Sequence, residues 1–383
     1  MRPVLYYVHH HGLGHWRRGL AVAARLARPV IFAATTPPPQ PLPESARWLR
    51  LPPDFPGPPD RTDHDAYGRL HWAPTRHAGL LRRHQLLLAE ATRRRPVLAV
   101  VDVSVEVTVL LRTSGIPTIA VRLPGERDDE AHQLGFGLAD EVVMPVPEAW
   151  GMHTGRARTR AVGLVGADRT ETEQLPTGGR GRGQARAQGR GQGRPRVVIV
   201  VGSGGSRLSG SQCQQIAVEL SDYEVRVLGL EAGPGGSTAA ANLTFVGRLQ
   251  DPRGELAAAS VVIGNAGLGT VSDVVSSRRP FVVVPEERPF GEQQATGRSL
   301  HAGRDAVVLT ELPELGGWRE AVLQAAARGP ALLSTDGADR FARLIERRAQ
   351  QIEHRAHEIE LGSDEPERVI TLPIPAPTGP GRS

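Results

Sequence analysis

Short apolar runs punctuate the chain, each followed by a stretch with helical spacing. In the first half the runs are "VLYYV" (4–8), "PVIFAA" (29–34), "VLAVVDV" (97–103) and "TIAVRL" (118–123). A helix is expected from about 15 to 27, and another ends at "SGIP" (114–117). Continuous apolar runs of this length read as strands buried on both faces, and strand–helix alternation is the pattern of βαβ units in a parallel sheet. The pattern breaks at 177–194, "TGGRGRGQARAQGRGQGR", which holds nothing that can pack a core. It then restarts with "RVVIVVG" (196–202), "EVRVLGL" (224–230), "LTFVG" (243–247), "SVVIGN" (260–265), "PFVVVP" (280–285) and "DAVVL" (305–309). Residues 338–360 predict a charged terminal helix, and a Pro- and Gly-rich tail follows. The expected organisation is an α/β domain over 1–170, a flexible Gly/Arg-rich linker over 171–195, a second α/β domain over 196–361 and a disordered tail over 362–383. Two such domains leave a cleft facing the carboxyl ends of their strands, where a ligand is expected.

Composition adjusts this picture in three places. Aromatic residues make up only 4% of a chain that is 39% hydrophobic, so the cores must rest on Val, Leu, Ile and Ala. All 46 basic residues are Arg, beside 44 Gly and 32 Pro, a usage that suggests a GC-rich bacterial genome. Arginines supplied by codon bias need not form a nucleic-acid footprint, and the formal charge is only +5, so nucleic acid is not the expected partner, although an RG-rich run can bind RNA. The single cysteine, Cys213, excludes an intramolecular disulfide and a cysteine zinc cluster. The apolar stretch at the N-terminus is short for a signal peptide, and no window approaches the ~18 apolar residues of a membrane span, so a cytoplasmic location is expected. Peripheral membrane contact has one candidate, residues 77–96, where Leu80, Leu81, Leu87, Leu88 and Ala91 share a helical face flanked by arginines. Packing of that face on the sheet is the simpler reading.

Two stretches of the second half carry chemistry. "VVIVVGSGGSR" (197–207) runs from a strand into a glycine turn, Gly202, Ser203, Gly204, Gly205 and Ser206, whose backbone can approach a phosphate. "GNAGLGTVSD" (264–273) is a second glycine cradle, with Thr270 at a helix start and Asp273 one turn along. A carboxylate there can accept two hydrogen bonds from a ribose diol. The loop after "FVVVP" leads to Gln293 and Gln294, amides suited to sugar hydroxyls because they both donate and accept.

This series resembles the donor-binding domain of the GT-B glycosyltransferases. It is most similar to the group, with a family 28 type of donor domain, containing the N-acetylglucosaminyltransferase that completes the lipid-linked peptidoglycan precursor. That group carries "AGxxT" after a strand, an acidic residue three positions on, "GxP", a strand and a Gln-Gln pair. Ala266, Gly267, Thr270, Asp273, Pro280, Gln293 and Gln294 stand in those places. The resemblance implies an α/β fold of two Rossmann-like domains facing a cleft, and transfer of a hexose from a nucleotide-diphosphate sugar, a UDP-sugar foremost, with inversion. It implies that Asp273 holds the ribose, that Gln293 or Gln294 holds the donor sugar, and that Gly202 to Ser206 and Gly269–Thr270 face the diphosphate. The chain departs from the group in having Asp273 in place of Glu, and Gly297–Arg298 in place of Asn-Ala.

The first strand runs into "HHHGLGHWRRG" (9–19). The same group opens its acceptor domain with a glycine loop containing "GxGH", and a set of bacterial glycosyltransferases shows "GLGHxxR". By this resemblance Gly12, Gly14 and Arg18 belong to a loop near the diphosphate or acceptor, and His15 points into the cleft as a general base. Asp102, ending the strand "VLAVVDV", is the competing base. Adjacent His9, His10 and His11 alternate outward on an extended chain and cannot comfortably share one ion, so no metal is expected. No DxD-type cluster stands in the donor half, and no cofactor beyond the donor substrate is expected. The acceptor is unassigned: a small molecule, a glycan or a lipid-linked sugar. The rival readings are a UDP-sugar 2-epimerase on the same fold and a nucleotide-sugar-binding partner protein without catalysis.

Overall fold

The computed structural model describes residues 1–10, 13–54, 64–152, 159–166, 194–202, 204–231 and 240–362. Two parallel sheets organise them. The first contains β1 (Val4–Val8), β2 (Val30–Ala34), β3 (Ala46–Arg50), β4 (Leu98–Asp102), β5 (Thr118–Val121), β6 (Glu141–Met144) and β7 (Thr159–Ala161), in the order β3-β2-β1-β4-β5-β6-β7. The second contains β8 (Arg196–Val200), β9 (Glu224–Leu228), β10 (Leu243–Gly247), β11 (Val261–Gly264), β12 (Phe281–Val283) and β13 (Val307–Val308), in the order β10-β9-β8-β11-β12-β13. Each sheet therefore grows outward from its first strand, returns, and grows the other way. The reversals fall between β1 and β4 and between β8 and β11, which fixes where ligand crevices open.

The central strands β1, β2 and β4 are buried throughout because helices cover both faces, and they are apolar except for Asp102 at the end of β4. In the first half these are α1 (Gly14–Ala23), α2 (Ala78–Arg94), α3 (Val105–Thr113) and α4 (Glu130–Leu138). The second half carries α5 (Gly210–Glu219), α6 (Arg253–Ala258), α7 (Leu268–Ser276), α8 (Glu292–Ala302), α9 (Gly317–Arg328) and α10 (Gly337–Gly362). Sequence periodicity does not reveal β3, "ARWLR", because this edge strand is only half covered and its arginines replace the apolar alternation. The short β6 and β7 and helix α4 lie outside the apolar runs as well. Residues 171–193 of the expected linker, and 363–383 of the expected tail, lie outside the described residues.

The expected leucine face of α2 packs inward only in part: Leu80 and Leu88 are half-buried and Leu81 is exposed. Leu87 and Ala91 are buried on the first sheet, and Arg83 is drawn in with them, donating to Tyr7 Oη at 2.6 Å and to Thr35 Oγ1 and Pro52 O at 2.7 Å. No helix among the described residues is long and apolar enough to cross a membrane.

Several contacts join the halves, the docking of α10 and a pair of touching loops among them. Helix α10 leaves the second sheet and docks on α1 of the first, burying Phe341, Ile345 and Ala349, while buried Arg28 pairs with Glu346 at 2.9 Å and Glu353 at 3.0 Å. Across the cleft the loop after β5 touches the loop before α8, where Glu126 N–H donates to Phe290 O at 2.7 Å. Gly125 permits this approach: its φ is +106°, and a Cβ there would sit 2.2 Å from Phe290 O. Gly125→Ala should therefore cost about 2–4 kcal/mol, combining left-handed strain with overpacking, read as a lowered denaturation midpoint. A wild-type midpoint would mean that the two loops do not touch in solution.

Candidate active site in the interdomain cleft

Both topological reversals face one cavity of about 1560 Å³ between the domains. On the first domain's side, β4 ends at Asp102 and the chain turns sharply through Val103, a β-branched residue held at φ 65°. Asp102 is fully buried beneath the start of α1. Its Oδ2 accepts from Arg18 Nε at 2.9 Å, and its Oδ1 accepts from Arg18 Nη2 at 2.9 Å and lies 3.0 Å from His15 Nδ1. Burial alone would raise the carboxyl, but the charge of Arg18 and the hydrogen bonds from His15 and Arg18 hold it well below the usual carboxylate range. His15 lies above this pair, its ring at the cleft surface and its Nε2 without a partner among the described residues. The two candidate bases are thus one stack: Asp102 is shut off from the cleft, and His15 is presented to it.

Gly14, His15 and Arg18 line the cavity, whereas Gly12 lies outside the described residues. His10 Nδ1 turns toward Asp54 at 3.5 Å, and the rings of His9 and His10 stack at 4.5 Å.

On the second domain's side the two glycine loops meet. Gly202 and Gly204 line the cavity, and a Cβ at Gly202 would stand 2.5 Å from Asn265 Nδ2, so that amide would have to move to admit a side chain. Ser203 lies outside the described residues. Gly205 and Ser206 do not line the cavity, because the far end of the loop is already occupied. Buried Glu286 accepts from Ser206 Oγ at 2.7 Å and from Arg207 N–H at 3.0 Å. Ala266 is buried, while Gly267, Gly269 and Thr270 line the cavity at the start of α7, where unpaired helix N–H groups favour an anion. Gln293 and Gln294 divide. Gln293 Oε1 accepts from Ala266 N–H and Glu286 N–H, both at 3.0 Å, so its amide hydrogens are left for the cleft. Gln294 donates to Glu286 O at 3.2 Å and does not line the cavity.

Asp273 reaches the cavity from α7 with its side chain 15% exposed. Burial pushes its pKa up to about 6, an effect that Arg17 partly offsets from the other domain, its Nη1 3.4 Å from Oδ2. Arg17 was not among the residues expected to act here, although it adjoins His15 in sequence. Arg288 is a second such addition. It lies against Gly204 and donates to Gly205 O at 2.6 Å, placing a cation at the glycine loop. The strand-end loop "PEERPF" was its only sequence signal.

Among the described residues one group brings three potential metal-ligand atoms within 4.8 Å of one another: His71, Asp129 and His132. Its hydrogen bonds already close it without an ion. Asp129 caps α4 by accepting from His132 N–H at 3.0 Å and also contacts both imidazoles, while Arg127 Nη1 lies 3.1 Å from His132 Nε2. A buried guanidinium at that distance opposes a second cation.

This architecture matches solved glycosyltransferases. The chain superposes on the kitacinnamycin glycotransferase with a TM-score of 0.58 at 17% identity, covering 94% of this chain and 98% of that one. MurG of Acinetobacter baumannii gives 0.55 at 15% identity, over 91% of this chain and all of that one. SsfS6 of Streptomyces sp. SF2575, complexed with thymidine diphosphate, gives 0.54 at 19% identity, over 91% and 100%. No protein-family model matches the sequence, and no curated protein matches it. The chain has the GT-B glycosyltransferase fold.

Two stability predictions follow from the buried charges. Asp102→Asn leaves Arg18 buried without its carboxylate and should cost about 3–5 kcal/mol by denaturant titration. Asp273→Asn should do the opposite. The folded carboxyl holds its proton more tightly than the unfolded one, so its contribution to stability is fully present below pH 3.8 and is lost as pH rises through about 6. The neutral isostere escapes that loss and should be more stable than wild type at pH 7.5 by on the order of 1–3 kcal/mol. A stability difference that does not change between pH 4 and 7 would show that Asp273 is not held in this environment.

Proposed function

We propose that the protein is a metal-independent glycosyltransferase that moves a hexose from a pyrimidine nucleoside-diphosphate sugar to an acceptor hydroxyl with inversion. The observation that carries this reading is the presentation of His15, seated on buried Asp102, opposite the glycine loops of the second domain. In this reading the diphosphate lies against Gly202, Gly204, Gly269 and Thr270, with the α7 N-terminus and Arg288 balancing its charge. Ribose hydroxyls take the place of Arg17 at Asp273, and Gln293 donates to the sugar. The acceptor oxygen attacks the anomeric carbon as the bond to the diphosphate breaks, and its proton passes to His15 Nε2. Asp102 accepts from Nδ1–H, orients the ring and stabilises the imidazolium as it forms, while Arg18 keeps Asp102 ionised. UDP is the first donor to test. Thymidine diphosphate, bound by SsfS6 and by the rhamnosyltransferase SpnG, is the second.

One contact favours a different reading, nucleotide-sugar binding without turnover. Arg18 Nη2 lies 3.0 Å from His15 Nδ1, and if it donates there the ring carries its proton on Nε2 and cannot serve as base.

Full-length protein should be stabilised by UDP or thymidine diphosphate in a thermal-shift titration. His15→Ala should lower turnover by ~10²–10⁴-fold while the nucleotide Kd changes less than about threefold, because a base acts mainly in the transition state. Normal turnover in His15→Ala would overturn the assignment of the base. Nucleotide binding without transfer to any acceptor, or with appearance of the donor's 2-epimer, would overturn the transferase reading.

A further inference from the structure

A second cavity, about 550 Å³, opens between the domains beside the cleft, walled by the segments that follow β5 and β6 and by α8. It lies within the size range of small-molecule sites. Arg122, 7% exposed, lines it, with its guanidinium carbon 5.3 Å from the centroid of the Phe136 ring. Stacking leaves the planar N–H edge of the group to be satisfied elsewhere. Arg122 has no ion-pair partner among the described residues, and its buried Nε–H has no acceptor. Trp150 lines the same cavity, and its buried indole Nε1–H also lacks an acceptor among the described residues. Two orphaned buried donors on one cavity, one of them charged, are an expensive arrangement unless something accepts from both. Nearby Arg127 is a second buried cation, paired with Glu292 at 3.5 Å, while burial lowers the pKa of Arg122 and only the more distant charge of Asp128 offsets this among the described residues. The remaining wall includes Met144 and Met152, whose side chains are apolar and adaptable.

We propose that this cavity binds a small oxyanion ligand, a carboxylate or phosphate on an apolar or aromatic body. The oxyanion accepts from Arg122 and Trp150, and the body rests on Met144 and Met152. The site is separate from the donor and acceptor cleft and does not rest on the transferase reading. Exposed Arg298 at its mouth would attract such a ligand, while Asp305, half-buried on the same wall and raised by burial, sets the limit on how much negative charge fits.

Titration of phenyl phosphate and of benzoate into the full-length protein, by calorimetry and thermal shift, tests this and decides between the two headgroups. One of them should bind saturably, and its binding should survive saturating UDP. Arg122→Gln removes an unpaired buried charge, so it should fold at least as stably as wild type and weaken the ligand at least about tenfold. Trp150→Phe keeps the aromatic wall but removes the N–H and should weaken it several-fold. Binding that persists unchanged in Arg122→Gln, binding displaced by UDP, or no saturable binding of either probe would each overturn the proposal.

Discussion

The buried charge of Asp102 is the constraint on which the site depends. A carboxylate with no exposure at the end of a central strand is tolerable only with a full complement of donors. The chain supplies them from the first two turns of α1, through Arg18 and His15. That requirement locks the start of α1 to the end of β4, on either side of the point where the strand order reverses. It also sets the ring plane of His15, so the cleft receives a histidine whose orientation comes from the core rather than from a surface loop. The left-handed turn at Val103 belongs to the same arrangement, since the strand must end abruptly for Asp102 to remain underneath.

The opposite wall follows a different logic. There, carboxylates and amides organise backbone. Glu286 holds the far end of the first glycine loop, and Gln293 ties the loop after β11 to the loop after β12. The near glycines and the α7 N-terminus are left facing the cavity. Asp273 is the exception, a carboxylate pushed up by burial and approached by Arg17 from across the cleft. Such a group costs stability, and in the proposed function a ribose diol is what satisfies it, the usual trade between stability and binding. Arg17, Gly125 and Arg28 make the relation between the domains part of the site, because each works only if the halves sit as they do.

Much of this was legible in the chain. Apolar runs located the central strands, and glycine turns at strand ends located both loops of the second domain. What the sequence hid has physical causes. Strand β3 is an edge whose arginines mask its period. Adjacent Gln293 and Gln294 differ by about 100° around a helix, so only one can face the cleft, and periodicity alone does not say which. The loop 202–206 looks like a uniform phosphate cradle until Glu286, some eighty residues on, is seen to occupy its far end. Asp102 and His15 read as rivals because a sequence carries no depth; burial turns them into partners. The Arg17–Asp273 contact spans 256 residues and no local pattern encodes it.

The account turns on which nitrogen of His15 holds the proton. Its most direct test is ¹⁵N NMR of the full-length protein labelled at histidine, with the His15 ring assigned by its loss in His15→Ala. The account predicts that the neutral ring is protonated on Nδ1, donating to Asp102, with Nε2 bare toward the cleft. A neutral ring protonated on Nε2, with Nδ1 accepting from Arg18, would contradict it.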